Sequence, residues 1–196
     1  MNSSTTLRQL NGLDPTPATL DGATLILVDY QNTYTRGVME LAGWQPALAS
    51  ASELLTRARA AGTNSIHVVH DGGEGSPYDL AAKIGRFIPP SRRCPTSPWS
   101  SRRRPMHSSA PIWASALRRP VTNRSSSWDS SHMCVTFTAE GAFLRGNQPT
   151  VVADACATRP IRTGVVNVSA EVLHEGALAT IADLYAVVVR SGTSLQ

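Results

Sequence analysis

The sequence predicts an α/β domain built on a largely parallel sheet, and three observations predict it. TLILVDY (24–30) and SIHVVHD (65–71) are apolar runs closed by polar residues, the pattern of strands buried on both faces. A stretch with helical apolar spacing separates them. Beyond residue 131 the same rhythm resumes, with TVVADA (150–155) and AVVV (186–189) flanking another helical stretch. Alternation of this kind gives a parallel sheet covered by helices on both faces.

The elements follow in chain order. Residues 1–20 carry one Arg and no apolar core of a secretory signal, so they read as a flexible N-terminal arm, and 21–196 as one domain of ordinary size. Residues 24–30 form the first strand. PALASASELLTRARAA (46–61) forms a helix with Pro near its start and Gly62 at its stop. Residues 65–71 make the second strand, GGEGSP (72–77) a loop, and 78–88 a short helix. Residues 134–145 make a helix stopped by Gly146. A third strand covers 150–155 and a loop runs through Arg162. A helix over 169–184 and a strand over 186–189 complete the domain. In such sheets chemistry gathers at the carboxyl ends of the strands, where Asp29, His70 and Asp71 lie.

Composition removes several function classes. No apolar run reaches the roughly 18–20 residues of a membrane span. Cys94, Cys134 and Cys156 are an odd, widely spaced set with neither a zinc pattern nor a disulfide framework, which fits a reduced, cytoplasmic protein. His67 and His70 stand three apart on a strand, hence on opposite faces, and no metal-ligand spacing surrounds Asp29, so no metal is expected. GGEGSP lacks the lysine and helix start of a phosphate loop.

The net charge of +4 belongs to one segment. Residues 91–131 contain 12 Ser, 8 Arg, 5 Pro and 3 Trp with one acidic residue, Asp129; the rest of the chain has 10 basic against 13 acidic residues. The run SRRRPM could bind phosphate non-specifically, but no aromatic–basic interleaving accompanies it, and no nucleic-acid partner is expected. A structureless insert of about 40 residues is foreign to a compact α/β domain.

Two side chains stand out chemically. Cys134 opens the small-residue stretch VTFTAEGAF, so it would sit at a helix N-terminus, where the macrodipole and first-turn amides favour thiolate and could bind an oxyanion. On position alone, a small buried cysteine packing that turn is the commoner case. Asp29, ending an apolar strand, could take a proton from a thiol and hand it to a leaving group, or could simply cap the loop after it. Gln31 and Tyr34, in the loop 31–45, and His132 beside the cysteine are candidate substrate contacts; Trp44 is a candidate apolar wall or core residue. Cys156 and His67 read as structural, and His70 as a weaker substrate contact.

These motifs together resemble the isochorismatase-like cysteine hydrolases, the family that includes nicotinamidases and N-carbamoyl amidohydrolases. LILVDYQNTYTRG resembles the family's first strand with its catalytic Asp, HVVHDGGEGSPYDL its second strand and loop, HMCVTFTAEGAF its nucleophile motif, and TVVADACATR the strand and loop after it. The resemblance implies a three-layer α/β/α fold with a mostly parallel central sheet. It also implies a Cys134 nucleophile, an Asp29 base, a small amide-like substrate without a cofactor, and a homo-oligomer. It further implies a Lys at the end of an intervening strand and a glycine before the nucleophile. Neither is present: Lys83 does not match the motif, and Arg102 is the basic residue nearest the Lys position.

The missing strand, Lys and glycine all fall in 91–131, and codon arithmetic suggests that this segment is the family sequence read out of frame. Trp is TGG and Asp is GAT or GAC, so Trp128–Asp129 read across the codon boundary gives GGA, a glycine. With TCG serines the preceding residues give valines, and WSSR (99–102) can conceal Val-Val-Val-Lys. Burying Ser, Arg and Pro where two strands belong would cost several kcal/mol per unpaired charge and about 1–3 per hydroxyl. A domain stable by roughly 5–15 kcal/mol would then fold poorly. Two outcomes are expected. The gene across codons 88–134 should show a compensating pair of indels relative to close relatives, and their absence ends the idea. The purified chain should lack a single sharp unfolding transition, and finding one would contradict the expected disruption.

Overall fold

The computed structural model describes residues 4–88, 99–102 and 131–195, of which 99–102, 131 and 132 are described by backbone alone. Strand β1 (Thr24–Val28) pairs in parallel with β2 (Asn64–His70), and β2 pairs in parallel with β3 (Trp99–Arg102). Strand β4 (Thr150–Val152) pairs in parallel with β7 (Val187–Val189), and β5 (Ile161–Arg162) with β6 (Asn167–Val168) makes a short antiparallel hairpin. Among the described residues no helix is long and apolar enough to cross a membrane.

Every residue of β1 is buried, and alternation sends its side chains to two different layers. Leu25 and Leu27 join the large cluster that includes Leu48, Ala51 and Leu55 of the helix Trp44–Ala60. Ile26 and Val28 join Ile66 and Val68 on the other face, where Cys134 packs against them. A third cluster joins Val135, Val151, Cys156 and Ile181. The helix Trp44–Ala60 ends where Gly62, at φ 71°, adopts the left-handed backbone that closes it. The helix Ala170–Thr180 begins with Ser169, whose hydroxyl accepts from the Val172 N–H.

Five expectations change. Residues 91–131 were expected to break the sheet, yet WSSR forms β3, with Arg102 opposite His70. These four residues contain no proline, so each can join the β2 ladder whatever its side chain; residues 123–128 lie outside the described residues. Residues 78–88 form no α-helix: Asp79 Oδ1 accepts from the Ala81 N–H at 2.9 Å and Oδ2 from Gly75 at 3.1 Å, fixing a loop whose one helical piece is the 3₁₀ turn Lys83–Gly85. The helix expected over 134–145 is a π turn, Ser131–Val135, continued by the α-helix Thr136–Phe143. The loop expected through Arg162 contains the β5–β6 hairpin.

The fifth change concerns the N-terminal arm, which is tied down. Thr6 and Gln9 form a capping box around the single helical turn Leu7–Leu10. The Leu7 N–H donates to Asp183 Oδ1 at 3.0 Å. Buried Arg8 donates to the carbonyls of Leu184 at 3.2 Å and Asp14 at 2.7 Å. Arg8→Ala should therefore lower stability by about 1–3 kcal/mol, the range for leaving buried acceptors unsatisfied. It should also raise hydrogen exchange in residues 5–14; wild-type exchange there would refute the docking.

Candidate active site

The site is built where β1 ends. Asp29 is 1% exposed and has φ +56°, left-handed backbone that a side chain adopts at a cost of about 1–3 kcal/mol and that clusters at functional positions. Its N–H donates to the Val68 carbonyl at 2.7 Å, extending the β1–β2 ladder by one bond, and its carbonyl accepts from the Gln31 N–H at 2.7 Å. The chain beyond it is clamped on the far side: Ile88 donates to the Tyr30 carbonyl at 2.9 Å and Asn32 to the Arg86 carbonyl at 2.9 Å.

Gln31 completes this clamp. Its side chain is fully buried, and Nε2 donates to the carbonyls of His70 at 2.9 Å and Gly85 at 2.7 Å, while Oε1 accepts from the His70 N–H at 2.9 Å. The sequence reading made Gln31 a substrate contact; its amide is instead occupied in joining the ends of β1 and β2 to the Lys83–Gly85 turn. Gly85 is held at close quarters, since a β-carbon there would collide with the Asp79 carbonyl.

Tyr34 is 4% exposed and belongs to the main core cluster. Its ring lies 5.9 Å from Tyr78, which meets His70 edge-on at 4.3 Å. Tyr78 was not singled out in the sequence; it lies just after GGEGSP, where no periodic pattern marks it. Half-buried Trp44 packs on the same cluster and is thus a core neighbour. His67 is fully buried with Phe87 edge-on at 5.4 Å.

Cys134, half-buried and in no disulfide, lies in the π turn and packs on the cluster of Ile26, Val28, Ile66 and Val68. Val28 immediately precedes Asp29, and Val68 accepts the Asp29 N–H. The packing therefore brings the cysteine to the strands whose ends carry the carboxylate. Next in the turn, Val135 is fully buried in the other cluster, with Val151 and Ile181, so the turn is wedged between two apolar layers. Single π turns of this type are frequent at functional sites. Tyr185 braces the helix that follows: its ring is 5.9 Å from Phe143 and its hydroxyl donates to Glu140 Oε1 at 3.3 Å. Burial first, then the Glu140 charge, pushes the tyrosine's pKa up.

The backbone of Arg102 ends β3 opposite His70, at the same carboxyl edge as Asp29. The side chains of Arg102 and His132 lie outside the described residues. Cys156 is buried, and its Sγ donates to the Val152 carbonyl at 3.3 Å, as suits a structural thiol. The Asp79 carboxyl is held below its ordinary range by the N–H groups of Gly75 and Ala81. Among the described residues no three His, Cys, Asp or Glu side chains cluster as metal ligands.

This architecture has relatives. No protein-family model matches the chain. An isochorismatase from Pseudomonas putida KT2440, known from its crystal structure, is 31% identical, with 99% of this chain and 100% of that chain covered and a TM-score of 0.92. The chain belongs to the isochorismatase-like hydrolase family. The secreted isochorismatase effector Isc1 of Verticillium dahliae is 25% identical over 191 residues, covering 94% of this chain and 96% of that protein. An N-carbamoylsarcosine amidase from Thermoplasma acidophilum shares the fold at 18% identity, with 86% of this chain and 95% of that chain covered and a TM-score of 0.67.

The clamp makes a measurable claim. Gln31→Ala should leave the buried polar groups of His70 and Gly85 without this partner and lower stability by about 1–3 kcal/mol. Equilibrium denaturation at wild-type stability would show that the clamp carries nothing.

Proposed function

We propose that the chain is a cysteine hydrolase that cleaves a C–N bond in a small amide-like molecule. The observation that carries the reading is the packing of Cys134 on the apolar cluster of Ile26, Val28, Ile66 and Val68, a cluster that holds the two residues joined directly to Asp29, Val28 by the chain and Val68 by a hydrogen bond. The N-carbamoylsarcosine amidase among the fold relatives supports the amide-like class.

The chemistry needs no cofactor. The Asp29 carboxylate accepts the Cys134 thiol proton as sulfur attacks the carbonyl carbon, and the oxygen takes the negative charge beside the amides that open the helical segment. As the tetrahedral intermediate collapses, the C–N bond breaks and the proton passes from Asp29 to the departing nitrogen, leaving a thioester on Cys134. Water, deprotonated by the same carboxylate, then attacks the thioester; the acid departs and the thiol regains its proton. Gln31 acts here as a positioning residue that fixes the Asp29 turn. Tyr78 and His70 stand beside it, backed by the buried ring of Tyr34, and His132, next but one before the nucleophile, is assigned to the substrate side. We place the reaction in the cytoplasm, a reading supported by Cys134 and Cys156 standing as reduced thiols.

A second reading has its own support: a catalytically impaired relative that binds more than it turns over. Arg102 occupies the strand end where the resemblance places a lysine, and a guanidinium neither matches an ammonium in shape nor gives up its proton. The two readings separate on three variants. Cys134→Ala should abolish hydrolysis of N-carbamoyl and simple amide substrates, and Asp29→Asn should lower kcat/KM by about 100-fold or more. Arg102→Lys should raise kcat/KM above wild type. Activity retained by Cys134→Ala would overturn the hydrolase reading. No activity in any variant, with a Cys134 thiol that alkylates no faster than free cysteine at neutral pH, would favour the impaired relative.

A further inference from the structure

The arm before β1 is docked in an unexpected way. Its single helical turn, Leu7–Leu10, leaves Leu7 43% and Leu10 70% exposed and buries only Arg8. Apolar burial is therefore not what holds it. A guanidinium is costly to take out of water unless its donors are met. Here the carbonyls of Leu184 and Asp14 meet them, while the Leu7 N–H donates to Asp183 Oδ1. The bonds to Asp183 and Leu184 land on one element, the π turn Ile181–Tyr185, which the Ala186 N–H closes by donating to the Ile181 carbonyl at 3.0 Å. The last carbonyls of a helix have no partner inside it. Arg8 supplies one for Leu184, so the arm completes this helix end.

The same element meets the turn that carries Cys134. Two π turns occur among the described residues, Ser131–Val135 and Ile181–Tyr185. Val135 and Ile181, both fully buried, share one apolar cluster. Tyr185 adds a polar tie: its hydroxyl donates to Glu140 Oε1, and its ring meets Phe143 edge-on. Asp183 and Leu184, which the arm holds, thus lie in the chain between the two residues that reach the nucleophile's turn and helix.

We propose that the N-terminal arm positions the nucleophile: its docking on Ile181–Tyr185 fixes the turn that carries Cys134. Arg8 and the Leu7 N–H are positioning groups and touch no substrate. The consequence for turnover rests on the hydrolase reading; the consequence for the turn does not. With the arm docked, Asp183 and Leu184 are held, and Ile181 and Tyr185 keep Val135 and Glu140 in place. With the arm undocked, the helix end at 181–185 frays, and the Cys134 turn loses the support behind Val135. Such a loss reaches the chemistry, because displacing a reacting group by about 1 Å can cost roughly 100-fold in rate.

Leu7→Pro isolates the contact. Proline is favoured at the first position of a helical turn, and Thr6, at φ −86° and ψ 159°, already has the backbone that precedes a proline. The capping box does not use the Leu7 N–H, so the substitution removes the donor to Asp183 and keeps the turn. In the full chain, hydrogen exchange should rise by about threefold or more in residues 133–143 as well as in 5–14. The kcat toward an N-carbamoyl substrate should fall by about threefold to tenfold with KM unchanged. Tyr185→Phe, which removes only the hydroxyl, should have the same effect on 133–143. The double variant should exchange there no faster than the faster single, because both substitutions break one route. Exchange that rises in 5–14 alone, additive effects in the double variant, or an active Leu7→Pro enzyme with wild-type kcat would overturn the role. Loosening of 133–143 in a chain of which no form hydrolyses would support the arm's hold on the turn and remove the hydrolase reading instead.

Discussion

The buried amide of Gln31 is the constraint on which the working edge of the molecule depends. It takes both backbone groups of His70 and the carbonyl of Gly85, and thereby joins the end of β1, the end of β2 and the turn Lys83–Gly85. The β1–β2 ladder and the backbone bonds to 86–88 already join these segments in pairs, and the Gln31 amide ties all three at one point. With it, Asp29 can hold a left-handed backbone in a fully buried position. Such a conformation persists only where the surroundings over-determine it. Here Val68, Gln31 and the 86–88 segment do so together.

The nucleophile candidate is fixed by a different kind of force. Cys134 and Val135 are adjacent in the chain but belong to different apolar clusters, one on the β1–β2 face and one under β4 and Ile181. Apolar burial on both sides holds the turn that presents the thiol, and Tyr185 secures the helix behind it. Polar clamping of the carboxylate and apolar wedging of the thiol are complementary. The first fixes direction, because hydrogen bonds are directional; the second fixes depth, because packing resists displacement.

Much of this was legible in the sequence, for identifiable reasons. Buried parallel strands leave continuous apolar runs, so β1, β2 and β7 stood out, and Gly62 and Ser169 marked helix ends by their chemistry. Asp29 and Cys134 were conspicuous as reactive groups beside regular elements. What escaped depends on contacts distant in sequence. Gln31 looked like a substrate contact because nothing local reveals that its amide reaches His70 and Gly85, 39 and 54 residues away. Arg8 looked like part of a loose arm because its acceptor at Leu184 lies 176 residues away. Strand β3 escaped because its side chains do not resemble a buried strand; a neighbouring strand's ladder can recruit backbone that propensity would not choose.

The most direct test of the account is to trap the covalent intermediate. Quenched reactions of the full chain with an activated N-carbamoyl or amide substrate, read by intact-mass and peptide mass spectrometry, should show one acyl adduct carried by the peptide that contains Cys134. An adduct confined to Cys156 or Cys94, or hydrolysis proceeding with no thiol modified, would contradict it.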